Sequence, residues 1–281
     1  MTFTIFGGRL MPQLDLTLSG KLPVSDEVVR AQEIHTKSLG LKTYREAKAL
    51  YHKLAVVGGG TSINDHVETL RNWDGDIWAI NGAYGWCQER GIDACFFAGD
   101  PDPITTKWAV GVKRALIEQC APPATFEALR QSGADVYTFD TGHEAGCIRT
   151  VGSTASAAPH LAVRMGYRHV TFFGCESCYV MGATHAYQDE DRDCQMIVEC
   201  GGNHYLTADD FYMYAKSLAE YINEVPEYLS EQSGGLLRAM VENKCQHRIV
   251  WVSQAMAKGM TPVRRADPPA NEPYLPLNWD G

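Results

Sequence analysis

The sequence predicts a doubly wound α/β protein, a mostly parallel, Rossmann-like sheet with helices on both faces. Two observations carry this. Short, nearly continuous apolar runs recur from Leu54 onward, and each is followed by turn residues and then by an amphipathic stretch. That alternation belongs to βαβ units, whose strands are buried on both faces.

The elements follow in order. LAVVGGG is a strand that runs into glycines, and SINDHVETLRNW is the helix after it. DIWAINGAY, ACFFAGDP and RALIEQC are three further apolar runs that end in polar or turn residues. ATFEALRQSG reads as a helix, DVYTFDTG as a strand, STASAAPHLAVRMG as a small-residue helix and RHVTFFGCES as another strand. The polar stretch MGATHAYQDEDRDCQ is too long for a tight turn and suits a ligand-covering loop. MIVECGGNHYLT is a strand or hairpin. TADDFYMYAKSLAEYI is a helix capped by Thr207 or Asp209, and GGLLRAMVEN is the last helix. Three segments result: an accessory helical segment over 1–53, with Ser25 at a helix start and Gly40 as an interruption; a Rossmann-like domain over 54–259; and a proline-rich tail over 260–281.

Composition narrows the function. Against 25 basic residues stand 34 acidic ones, a formal charge of −9, and no broad footprint for a nucleic-acid backbone is expected. No run approaches the roughly 20 apolar residues of a membrane span. The opening MTFTIFGGRLMPQLDLTLSGK lacks a basic region followed by an apolar block, so no signal peptide is read there. A cytoplasmic protein with small-molecule partners is expected. Nine dispersed cysteines fit no disulfide framework. Cys175-x-x-Cys178, with Cys194, Cys200, His185 and His204 nearby, has zinc-like residue types but no second such pair, and reads as structural.

In open α/β sheets ligands bind beyond the carboxyl ends of the strands, so the residues there are the candidates. Gly58, Gly59, Gly60, Thr61 and Ser62 join a strand to a helix; glycines permit close backbone approach, and the amides suit a phosphate. The alternative is a tight turn. On the phosphate reading, Gly60→Val removes ligand binding and leaves the fold intact. Asn81 can read a base or ribose, or act as a turn residue before Gly82. Asp100, with Asp102 beside it, can hold a cation or a sugar hydroxyl, or start a turn at Pro101. Gly152, Ser153 and Thr154 open a helix and form a second anion cradle or an N-cap. Glu176 leaves an apolar strand as a metal ligand or ribose contact, and His185 in the polar loop is a general acid or base. Asn81, Asp100, Glu176 and His185 are expected to line one cleft.

Taken together, LAVVGGGTSIND, INGAY, FFAGDPD and GSTASAAPHLAVRMGYRHVTFFGCESCY resemble the MptE-like domain family. That family contains 6-hydroxymethylpterin diphosphokinases and many bacterial and phage proteins. Its layout is similar to that of CMP-sialic-acid-dependent sialyltransferases. The resemblance covers residues 54–222. This chain departs from the family pattern at Thr61, where proline is usual, at Ile63, where leucine is usual, and at Glu176, where aspartate is usual. The resemblance implies that Gly58, Gly60 and Ser62 lie against phosphates and Asn81 near the nucleotide, with Ser153 and Glu176 opposite. The expected activity is diphosphate transfer from ATP to a small hydroxyl acceptor, with Mg²⁺ held by Asp100 and Glu176. Glycosyl transfer from a CMP-type nucleotide sugar, with His185 as base, and non-catalytic nucleotide binding are the alternatives.

Overall fold

The structure, a computed structural model, describes residues 4–6, 9–11, 24–46, 53–141, 148, 150, 153–179, 185–186 and 196–251. The elements in chain order begin with β1 (Thr4–Phe6), β2 (Arg9–Met11), α1 (Asp26–Ser38), β3 (Lys42–Thr43), β4 (Lys53–Val57) and α2 (Val67–Arg71). They continue with β5 (Asp76–Ile80), α3 (Ala83–Glu89), β6 (Cys95–Ala98), α4 (Thr105–Trp108), β7 (Arg114–Glu118), α5 (Pro123–Gln131) and β8 (Asp135–Phe139). The last are α6 (Thr154–Met165), β9 (His169–Phe173), β10 (Met196–Cys200), β11 (Asn203–Thr207), α7 (Asp209–Glu224), β12 (Leu229–Glu231), α8 (Gly235–Glu242) and β13 (His247–Trp251).

The main sheet has eight strands in the order β12-β9-β4-β5-β6-β7-β8-β3. The pairs β4/β5, β5/β6, β6/β7, β7/β8 and β3/β8 are parallel. This is the doubly wound α/β layout that the apolar runs predict. From β4 the chain adds β5 to β8 on one side, and β9 then takes its place on the other side of β4. The strand order therefore reverses between β4 and β9. Such a reversal is where open α/β sheets characteristically take ligands.

Two compact units divide the chain, one built from 1–58 and 67–171, the other from 59–66 and 172–281. The core of the first is centred on β4, β5 and β6, where Leu54, Val56, Trp78, Phe96 and Phe97 are buried. Trp78 meets the Phe97 ring at 5.1 Å, and Phe97 meets Phe139 at 5.5 Å. In offset geometries these contacts add to the burial itself. The second unit holds α7 and α8 and a three-stranded sheet ordered β11-β10-β13, whose β10–β11 hairpin turns at Gly201 and Gly202, both at positive φ.

Several sequence expectations change in detail. The segment after the glycines is not one helix: Thr61–His66 is 3₁₀, and only the five residues of α2 are α-helical. Helix α7 is capped by Ala208 without a side-chain bond, because Thr207 is the last residue of β11 and Asp209 is already inside the helix. Within the N-terminal segment, β3 pairs with β8 at the edge of the main sheet. Its helix α1 begins at Ser25, whose side chain accepts the Val28 amide, and buries a polar face of Gln32 and Thr36. Gln32 Nε2 donates to the Pro101 carbonyl at 3.4 Å, and Thr36 Oγ1 to the Gln119 carbonyl at 2.8 Å. These bonds satisfy the loop carbonyls after β6 and β7 and fix α1 over them. The proline-rich tail and the expected accessory residues 47–52 lie outside the described residues. No helix of the described residues is long and apolar enough to cross a membrane.

Candidate functional site

In the first unit, parallel strands β5, β6, β7 and β8 bring their carboxyl ends to one edge. Asn81, Asp100, Glu118 and Thr141 follow or end these strands. Asn81 is held in the left-handed region, φ 49°, by its amide bond to the Phe97 carbonyl at 3.1 Å. Its side-chain oxygen is buried and has no hydrogen-bond partner among the described residues. A strained non-glycine residue with an unmet polar atom at a strand end is the pattern functional sites show. Asp100 makes the turn that its Asp-Pro sequence allows: its Oδ1 accepts the Asp102 amide at 3.0 Å. Ser153 is the N-cap of α6, accepting the Ser156 amide at 3.2 Å. Gly152 lies outside the described residues.

Glu118 is the residue that the sequence reading passed over. Thr141 Oγ1 donates to its Oε1. A Cβ placed on Gly99 would lie 2.7 Å from Glu118 Oε2 and 3.4 Å from Thr154 Oγ1, so Gly99 leaves room for this carboxylate beside the start of α6. Burial pushes the Glu118 carboxyl up to about 7, helped by the negative charges of Glu33 and Asp100 and opposed by bonds from Thr141 and Cys120. The signal was present, since RALIE ends in an acid at the same strand position as its neighbours' polar residues.

In the second unit, the loop after β4 meets the segment after β9. The Gly60 amide donates to the Gly174 carbonyl at 2.8 Å. The Ser62 amide donates to Glu176 Oε1 at 2.5 Å, a charge-assisted bond across 114 positions of sequence. Glu176 is only 2% exposed. Its carboxylate lies where a side chain at position 60 would be, because a Cβ there would fall 1.6 Å from Oε2. Gly235, at φ 58°, clears the other side: its Cβ would lie 2.7 Å from Glu176 Cβ. The Leu237 amide donates to the Glu176 carbonyl at 3.2 Å, and the Cys175 amide to Ser233 Oγ at 2.9 Å. The Ala186 amide donates to the Gly59 carbonyl at 2.8 Å, which brings the chain at His185 against the glycine loop.

The candidates thus fall into two groups. Gly59, Gly60, Thr61, Ser62, Glu176 and His185 belong to the second unit, while Gly58, Asn81, Asp100, Ser153 and Thr154 belong to the first. Asp100 Oδ1 and Glu176 Oε1, the two carboxylates expected to hold Mg²⁺, each accept a backbone amide within their own unit. Among the described residues no group of three or more His, Cys, Asp or Glu side chains could hold a metal ion. The seven described cysteines, Cys175 and Cys178 among them, are thiols.

No family model matches this chain, and no curated protein or solved structure matches it either.

Proposed function

We propose that the chain is a nucleotide-binding transferase of the MptE-like kind, moving a diphosphate from ATP to a small hydroxyl acceptor in the cytoplasm. One observation supports this most: the strand order reverses between β4 and β9, and the loops that follow these strands are the glycine loop and the segment bearing Glu176. In this reading the backbone of Gly59–Ser62 receives phosphate, and His185, whose neighbour Ala186 is bonded to that loop, takes the acceptor proton. Such transfer needs positioning and charge neutralisation more than an unusual nucleophile. Magnesium would enter with the triphosphate as part of the substrate.

Fold alone does not choose among nucleotide chemistries, so a ligand screen by thermal denaturation is the test. ATP with Mg²⁺ at about 100 times its dissociation constant should add ~2.7 kcal/mol. For a chain of this size that raises the midpoint by roughly 5–10 °C. A larger shift with CMP in the absence of metal would replace diphosphate transfer by glycosyl transfer. No shift with any nucleotide or nucleotide sugar would overturn the reading.

A further inference from the structure

We infer that the glycine loop of the second unit is an oxyanion seat that the unliganded protein fills with its own Glu176 carboxylate, and that an incoming phosphate takes the seat by displacing it. The identity of the incoming anion rests on the nucleotide reading above; the seat itself rests on geometry.

Four features define it. The Ser62 amide is committed to Glu176 Oε1 at 2.5 Å. Glycines at 60 and 235 are required on either side of this one side chain, since a Cβ at either would fall within 2.7 Å of it. Glu176 is fixed from behind through its own carbonyl, which accepts the Leu237 amide near the start of α8. Finally, Ser62 is itself 2% exposed, and its hydroxyl is buried with no hydrogen-bond partner among the described residues. A buried hydroxyl is seldom left unmet. It belongs to the residue whose amide holds the carboxylate. A phosphate offers more acceptor oxygens than a carboxylate, so it is the better match for an amide and a hydroxyl together.

The seat lies where the strand order reverses, the place at which an open α/β sheet binds its ligand. A phosphate cannot share the Ser62 amide with an ionised Glu176, because like charges at that separation repel. Binding therefore requires the Glu176 side chain to leave the loop. The wild-type protein should hold bare anions weakly, and removal of the carboxylate should open the seat.

The test uses the full chain, Glu176→Ala and Glu176→Gln, with acetate, inorganic phosphate and inorganic pyrophosphate as probes and chloride at equal ionic strength as reference. Glu176→Ala should melt below the wild type in chloride and recover with acetate or phosphate. Its pyrophosphate dissociation constant should fall by about tenfold or more, the scale of one lost charge-assisted competitor. Glu176→Gln keeps an acceptor for the Ser62 amide and removes only the charge, so it should stay closer to wild-type stability and still bind pyrophosphate more tightly. Recovery of Glu176→Ala no greater than in chloride would overturn the seat, as would unchanged pyrophosphate affinity in the folded Gln variant. If anions restore Glu176→Ala while no nucleotide binds any form, the seat stands and the nucleotide reading falls. If nucleotides bind the wild type and neither variant responds to anions, the nucleotide reading stands and the seat falls.

Discussion

Gly60→Val is expected to destabilise the protein by about 3–5 kcal/mol, the sum of an overpacked interior and a lost charge-assisted hydrogen bond. The first Cβ atom would lie 1.6 Å from Glu176 Oε2 and 2.4 Å from its carboxyl carbon, so the carboxylate must be driven off the Ser62 amide. The Glu176 side chain can make room only by giving up the Ser62 amide. Glu176 is buried, Gly235 closes its other side, and its carbonyl is bonded to Leu237. From sequence alone the same substitution reads as a binding mutation in an intact fold; the structure makes it a folding mutation first. A double-mutant cycle separates the causes. Gly60→Ala should be costly in the wild type and should cost under ~1 kcal/mol in a Glu176→Ala background, because the atom it meets is gone. Urea denaturation of the four proteins measures this, and additive costs would show that the loop and Glu176 do not interact.

Glu118→Gln is expected to change the pH dependence of stability. The folded protein holds this carboxyl near 7, from an ordinary value of 4.5, chiefly by burial. Below pH 4.5 both folded and unfolded chains carry the proton. As pH rises from about 4.5 to about 7 the unfolded chain releases it first, so stability falls across that window and levels off above it. The loss is on the order of 3 kcal/mol. Glutamine keeps an acceptor for Thr141 and does not ionise, so the variant should lack this component of the slope and be the more stable protein at pH 8. Parallel pH–stability curves for the two proteins would contradict the buried carboxyl.

Much of the first unit was legible because its signals are local. LAVV, DIWAI, CFFA and RALIE are apolar runs closed by turn residues, and they are β4 to β7. Helix α6 was equally plain, from the Ser153 cap to Gly166 at φ 98°. What local pattern could not reveal is pairing at a distance. The Ser62–Glu176 bond joins residues 114 positions apart, and the need for glycine at 235 arises only once Glu176 is packed against it. For the same reason the glycine loop read as an open cradle, whereas two of its amides are committed to Gly174 and Glu176. How helix α1 packs was not legible because its buried face is polar, Gln32 and Thr36, and bonds to backbone carbonyls instead of joining an apolar core. Asp100 makes a turn and Ser153 an N-cap, as short polar side chains beside free amides commonly do.

The glycine loop as the phosphate site is tested most directly by an amide-resolved NMR titration of the wild-type protein with ATP and Mg²⁺. Saturable shifts are expected at the Gly60, Thr61 and Ser62 amides together with the amide of Glu176, whose side chain leaves the loop as phosphate arrives. Saturable ATP binding that leaves these four amides unmoved would contradict it.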